Sequence, residues 1–580
     1  MNNYKHLLVL ILFSASSIFA QDTNQEGIGK QEVLVIKSYT PSLSDAFQLK
    51  NSPQFPDSLL QRPKKIDFTI QEIPVVSNFQ PNKATPLNLK HRNPTTTFNT
   101  LFSAGYGNKN QLLMDVSSVY TIDRKQRVGF LFYRDGFVDN VNNSLLKSDQ
   151  GYSRIGLHHN LRSREYNTHT SLQFKKYKNH YYGLYDQEWD PLLINSIDPK
   201  INRNLFEVRT DWNWYDFVLQ NIEFQANLTS DNYNSSEQQL GLGGVLNFEI
   251  GKSNLNTELN VQALNTVFEQ SYYEKTREKY SYGLLDAELQ WQHLYNDFKL
   301  KLGAGIALLQ GDTAVLKSLL YYPKIEVIYQ KPNAVITPFI QALGGVSINS
   351  YRNTLIKNPY LAPTTAIKPT FENYNAALGF RSSLASIINF DVSVIYDNVD
   401  NFSYYQRLPF DGQNEDQGYR FSNAFEIKYA QVQYYGVKTA IRLDLAKNNF
   451  IHFETKYRFF NSENDQTLWN TPGLELHWNG QFTWRNKLTL SLNGSAFGDR
   501  TEAYRPIFIN QPLNNVPLIE NKLPLFIQSN FHLTYSIAKQ FDVFIKNRIS
   551  SKGIHGRWAL LPEPPFLLLS GVLYKFDLQY

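Results

Sequence analysis

Few stretches of the chain have residue types and spacing that could do chemistry. Gly251-Lys252-Ser253 copies the end of a phosphate-binding loop, in which backbone N–H groups cradle phosphates and the lysine reaches them. Leu246 stands where the first glycine of that motif belongs, so the triplet reads as a tight turn. His158 and His159 are adjacent, and neighbours on a strand point to opposite faces, so the pair cannot share a metal ion. The absence of cysteine removes thiolate ligands and disulfides alike. Neither a HExxH helix nor a GxSxG elbow occurs. The expectation is no metal, no cofactor and no enzymatic activity. Two stretches suit binding instead. Residues 179–190 place Tyr181, Tyr182, Tyr185 and Trp189 among Asp186, Glu188 and Asp190. Ring faces beside carboxylates fit a sugar or peptide ligand, and equally fit loops that pack on one another. Glu32, Val33, Leu34, Val35 and Ile36 form a short extended apolar run after an acid, suited to adding a strand to a partner's sheet edge or to packing locally.

The elements that would position these residues are strands. Phe206, Val208, Trp212 and Trp214 alternate with Glu207, Arg209, Asp211 and Asn213. Phe298, Leu300, Leu302, Ala304, Ile306 and Leu308 share one parity, opposed by Lys299 and Lys301. Ile451, Phe453, Tyr457 and Phe459 alternate with His452, Glu454, Lys456 and Arg458. Each is a strand with one apolar and one polar face. The chain uses 36 Tyr and 39 Phe against 2 Met at a mean hydropathy of −0.40, which suits strands that meet lipid only at every second residue. Past residue 20 no apolar run reaches the length of a spanning helix, so a membrane crossing would need a closed barrel. A net charge of +5 without a basic block predicts no nucleic-acid partner.

Connections decide which face is the lumen. Residues 122–125, 162–165, 215–216, 251–254, 295–297, 330–333, 446–449, 485–487 and 538–540 read as tight turns. Residues 138–149, 178–202, 350–370, 462–473, 499–523 and 552–565 read as loops, and the two kinds alternate. Aromatic residues crowd the short-turn ends: Trp214, Tyr215, Trp291, Trp484, Tyr535, Phe217, Phe298, Phe450 and Phe541. Short turns at one end, long loops at the other and an interfacial aromatic girdle are the pattern of a transmembrane antiparallel β-barrel whose polar face lines the lumen. The fold class is all-β. About 22 strands fit, within a range of 18–24, and residues 387–408 and 418–445 are expected to be unusually long strands.

Residues 1–20 have the basic start, apolar core and small-residue approach of a secretory signal peptide. Residues 21–96 hold Pro41, Pro53, Pro56, Pro63, Pro74, Pro81, Pro86 and Pro94, a density that prevents a continuous helix or central strand. They are read as a periplasmic or lumenal extension, with the barrel occupying 97–580.

Residues 566–580 alternate Val572, Tyr574, Phe576, Leu578 and Tyr580 with Lys575, Asp577 and Gln579. This stretch resembles the closing strand that barrel assembly machinery reads in outer-membrane proteins, with Tyr574, Phe576, Leu578 and Tyr580 as the signal. Asn358-Pro359-Tyr360-Leu361, Pro363, Asn373-Tyr374 and Leu378-Gly379-Phe380, with the strand that starts at Asn389 and with Tyr435-Gly436-Val437, resemble TonB-dependent receptor barrels over about one fifth of the barrel. Glu32 to Ile36 looks like the TonB box of that family. The family's folded plug and its motifs have no counterpart before the first strand. The resemblance implies an outer-membrane barrel of a Gram-negative envelope with both termini periplasmic and lipid around it. It further implies solute uptake through a receptor-like barrel with a reduced plug and a TonB-type or other periplasmic partner. The alternative is a non-transporting barrel that serves as scaffold or channel in an envelope assembly or secretion complex.

Overall fold

A computed structural model describes residues 98–184, 189–274, 276–311, 318–332, 334–384, 387–411, 417–505 and 518–578. Twenty-two strands form one antiparallel sheet in which chain neighbours pair, and the last strand, Phe566–Phe576, pairs with the first, Thr100–Gly107. The register runs from Thr100↔Phe576 to Gly107↔Leu569, so the sheet closes on itself and leaves no edge. Polar groups latch the seam beyond the strand ends. Asn99 N donates to Asp577 Oδ1 at 2.9 Å, its Nδ2 donates to the Leu578 carbonyl at 2.8 Å, and Leu578 N donates to Asn99 Oδ1 at 2.8 Å.

All nine expected turns lie at the end of the barrel that carries this seam latch, joined there by the connection between Thr370–Leu384 and Ile388–Arg407. Several turns need left-handed backbone, and Asp216, Asn296 and Asn448 supply it at φ 51, 52 and 71, as short polar side chains do at little steric cost. The described residues of the expected loops all lie at the opposite end. The strands Ile388–Arg407 and Phe425–Ala446, with 20 and 22 residues, are the longest among the described residues. One loop holds a feature that alternation did not predict: Arg500–Tyr504 pairs with Ile519–Leu523 as a separate two-stranded hairpin outside the barrel sheet.

The two faces separate as the alternation requires. Val327, Ile340, Leu378, Val394, Val437 and Tyr457 stand in register on six consecutive strands, and Leu378 and Val394 are 63% and 60% exposed. An apolar row left this open suits hydrocarbon. Charged residues of the opposite parity pair with one another inside: Lys175 with Glu207 at 2.5 Å, Lys301 with Glu326 at 2.6 Å, Lys324 with Glu288 at 2.7 Å. Tyr215, Phe217, Tyr295, Phe298, Trp484 and Tyr535 are exposed at the short-turn end. A second aromatic band, which only register reveals, crosses four strands nearer the loops. Its Tyr374 and Tyr396 rings lie 5.9 Å apart, and its Tyr435 and Phe459 rings 5.3 Å apart.

Arginine on the lipid face near mid-barrel is expected to destabilise by about 2–4 kcal/mol, whereas lumenal substitutions cost much less. Leu378→Arg and Val394→Arg should therefore lower barrel stability in refolding experiments in lipid vesicles, with Glu454→Arg close to wild type. Equal losses for both classes would show the faces to be reversed.

Candidate functional site

At the long-loop end the described loop segments pack on one another, and buried polar groups explain how. Arg407, at the top of Ile388–Arg407, has a fully buried side chain. Its Nε donates to Glu502 Oε1 at 2.6 Å, Nη1 to the Ser422 carbonyl at 2.7 Å, and Nη2 to the Ala559 carbonyl. One guanidinium thus ties three loops together. Arg420, also buried, donates to the Tyr272 carbonyl at 2.9 Å and to Asp411 at 2.7 Å. Arg203 donates from Nη1 to the Pro359 carbonyl at 2.5 Å, and Asn423 Nδ2 donates to the Tyr181 carbonyl at 2.6 Å. Apolar and aromatic groups fill the space between them, among them Tyr182, Tyr360, Phe421, Phe425 and Trp558. A charge buried this deeply persists only when it is paired or hydrogen-bonded. Burial holds the Glu502 carboxyl above its ordinary range, with Arg407 working against that rise.

Beneath the cap, the loop between Ile336–Ser347 and Thr370–Leu384 folds into the barrel mouth as the short helix Tyr351–Lys357. Ser350 caps it, its Oγ accepting from Asn353 N at 3.1 Å. The lumenal carboxylate of Glu237 accepts from the backbone of Tyr351 at 2.5 Å and of Arg352 at 3.0 Å, so the helix start is held by the wall as well as by its own cap. The Tyr351 hydroxyl donates to Asp231 at 2.9 Å, and Arg352 Nε donates to Glu207 at 2.7 Å. The segment Asn358-Pro359-Tyr360-Leu361 that follows sits at the centre of the cap, with Tyr181 Oη donating to the Leu361 carbonyl at 2.8 Å.

Two chambers flank this helix. The first, about 380 Å³, is lined by Tyr133, Tyr152, Tyr177, Gln150, Arg352 and Arg548. Its tyrosine rings step along three neighbouring strands at 5.9 and 4.8 Å. The second, about 730 Å³, is lined by amides, namely Gln225, Gln239, Asn260, Gln262, Asn349 and Asn353. Ring faces with cations, and amides that both donate and accept, bind polar solutes through shape and hydrogen bonds without activating a bond. Among the described residues no group of three His, Cys, Asp or Glu is placed to hold a metal ion.

The binding residues expected from sequence are distributed across this region. Tyr181 and Tyr182 are 0% and 2% exposed, within the cap, where the Tyr182 hydroxyl donates to the Pro562 carbonyl at 2.7 Å. Burial pushes both phenols well above their ordinary range, which keeps them as donors. Trp189 packs half-buried against the same cluster, and Tyr185 lies outside the described residues. Tyr574 points outward from the closing strand with Phe576 stacked on it at 5.4 Å; Leu578 follows the strand, and Tyr580 lies outside the described residues. Glu32, Val33, Leu34, Val35 and Ile36, the signal peptide and the extension also lie outside them. Gly251 and Lys252 form an exposed turn between two strands. The cap arginines escape sequence reading, because each is a lone basic residue with no local motif. Ser350, a favoured N-cap residue type ahead of Tyr351–Lys357, is the one local signal for the helix, which reading 350–370 as a loop passed over.

Three solved structures share this architecture. The FrpB iron transporter of Neisseria meningitidis matches at 9% identity with a TM-score of 0.60 over 83% of this chain and 82% of its own. The ferripyoverdine receptor of the Pseudomonas aeruginosa outer membrane matches at 9% and 0.59 over 83% and 72%. The ferric enterobactin receptor of the same organism matches at 12% and 0.54 over 82% and 80%. The barrel has the TonB-dependent receptor fold. No family model matches the sequence, and no curated protein does.

Removing one partner of a buried ion pair strands the other and costs about 3–5 kcal/mol, whereas removing both costs far less. Arg407→Leu should therefore raise amide exchange in Arg500–Tyr504 and residues 551–565 with the barrel strands unchanged. Arg407→Leu combined with Glu502→Leu should restore much of the protection. Uniform loss of protection along the barrel would refute a local cap.

Proposed function

We propose that the protein is an outer-membrane receptor-like transporter that takes a solute through its barrel with a reduced plug. The observation that carries this reading is the pair of chambers under a loop cap, in a barrel with the fold of an iron transporter and a ferripyoverdine receptor. The long-loop end faces outward and both termini face the periplasm. Residues 21–96 serve as the reduced plug, and Glu32 to Ile36 add as a strand to a TonB-type partner. Trp189 and Tyr185 mark where the loop of residues 179–190 meets the solute. Barrel assembly machinery reads Tyr574, Phe576, Leu578 and Tyr580.

One observation favours a second reading. A cap tied by buried guanidinium groups is the construction of a permanent lid, which suits a scaffold in an envelope assembly or secretion complex. Affinity purification from membranes separates the two, using the full chain and a version lacking residues 31–37, with conductance recorded on both. Transport predicts loss of a TonB-type partner on deletion. A stable multiprotein complex that survives the deletion overturns it.

A further inference from the structure

The outward face of four neighbouring strands, Gln126–Phe137, Gln150–Arg162, Tyr166–His180 and Lys200–Trp214, changes character over two rows. Phe132, Ile155, Phe174 and Phe206 are in register as an apolar row on the lipid face. Two residues nearer the loops, about 7 Å along the strands, the row reads Arg134, Ser153, Lys176 and Asn204. The next reads Gly136, Gly151, Lys178 and Asn202. The paired glycines leave bare backbone, and a side chain at 136 would run into the Gln150 carbonyl. Over them lies a cleft of about 410 Å³ whose lining includes Arg134, Lys176, Lys178, Lys200 and Asn202.

The charges in this cleft do not balance. Asp149 is held by Lys178 and, at 3.4 Å, by His180. Asp135 turns its carboxylate to the lumen, where Gln111 and Tyr133 donate to it. Among the described residues, Arg134, Lys176 and Lys200 have no acidic partner within ion-pair distance.

We propose that this cleft binds the phosphate of an anionic lipid headgroup in the leaflet at the long-loop end. The apolar row directly below sets the depth, because acyl chains lying on Phe132, Ile155, Phe174 and Phe206 bring their headgroup to the level of the cations. Arg134 offers a planar fork that matches two phosphate oxygens, and Lys176 and Lys200 add point charges. A free phosphate meets the same cations but lacks the apolar anchor. The lipid is therefore the assigned occupant.

Native mass spectrometry of the detergent-extracted full chain tests this, with phosphatidylglycerol, phosphatidylcholine and inorganic phosphate as probes. Phosphatidylglycerol should be retained and phosphatidylcholine lost, with inorganic phosphate at equal concentration failing to displace the retained lipid. The triple substitution Arg134→Gln, Lys176→Gln, Lys200→Gln should weaken retention about a hundredfold, about fivefold for each basic group at an anionic lipid surface. Its heat-modifiable gel migration should match wild type. Asp149→Asn, which removes the competing carboxylate, should strengthen retention. Equal retention of the two lipids, an unaffected triple variant that migrates as wild type, or no gain in Asp149→Asn would overturn the proposal. Displacement by inorganic phosphate would reassign the cleft to free anions and overturn the lipid.

Discussion

Backbone hydrogen bonding is the constraint on which the rest of this structure depends. In hydrocarbon an unpaired N–H or C=O has no water to turn to, so a sheet must close completely. Here closure rests on the pairing of Thr100–Gly107 with Phe566–Phe576, two segments separated by almost the whole barrel. The Asn99 latch to Asp577 and Leu578 supplies partners where the ladder ends. With the sheet closed, alternation does the rest: one parity turns outward and is apolar, and the other is confined to a lumen where Lys301 and Glu326, or Lys324 and Glu288, satisfy each other.

The same physics, applied to a different medium, builds the cap. Loops that leave the barrel wall carry carbonyls which, once packed together, lose water and need donors. Arg407, Arg420 and Arg203 supply several donors each from single side chains, and the carbonyls of Ser422, Ala559, Tyr272 and Pro359 accept them. Guanidinium suits this because its donors diverge in one plane and can reach separate loops at once. The inward helix Tyr351–Lys357 follows a related logic. Its first N–H groups are taken by Ser350 and by Glu237 from the wall, which fixes a short helix that would be marginal alone.

Function and construction meet in the space these devices leave. Holding the loop against the wall through Glu207 and Asp231 divides the volume beneath the cap into a tyrosine chamber and an amide chamber. Both present ring faces, cations and amides of the kind that hydrogen-bond polar groups.

By itself, the sequence determined the architecture: alternation at Phe206 to Trp214 and Phe298 to Leu308 established strands, the spacing of turns and loops established their number and ends, and the aromatic residues marked an interface. These are local properties, repeated in every strand and therefore legible without knowledge of what each strand meets. Tertiary structure alone decided the rest. Whether Tyr181 and Tyr182 face a ligand or a neighbour depended on loops that reach them from Leu361 and Pro562, about 180 and 380 residues away. The roles of Arg203, Arg407 and Arg420, the inward helix and the basic cleft around Gly136 and Gly151 likewise arise from register and long-range contact. A periodic pattern states which face a residue takes, but the partner on that face comes from elsewhere in the chain.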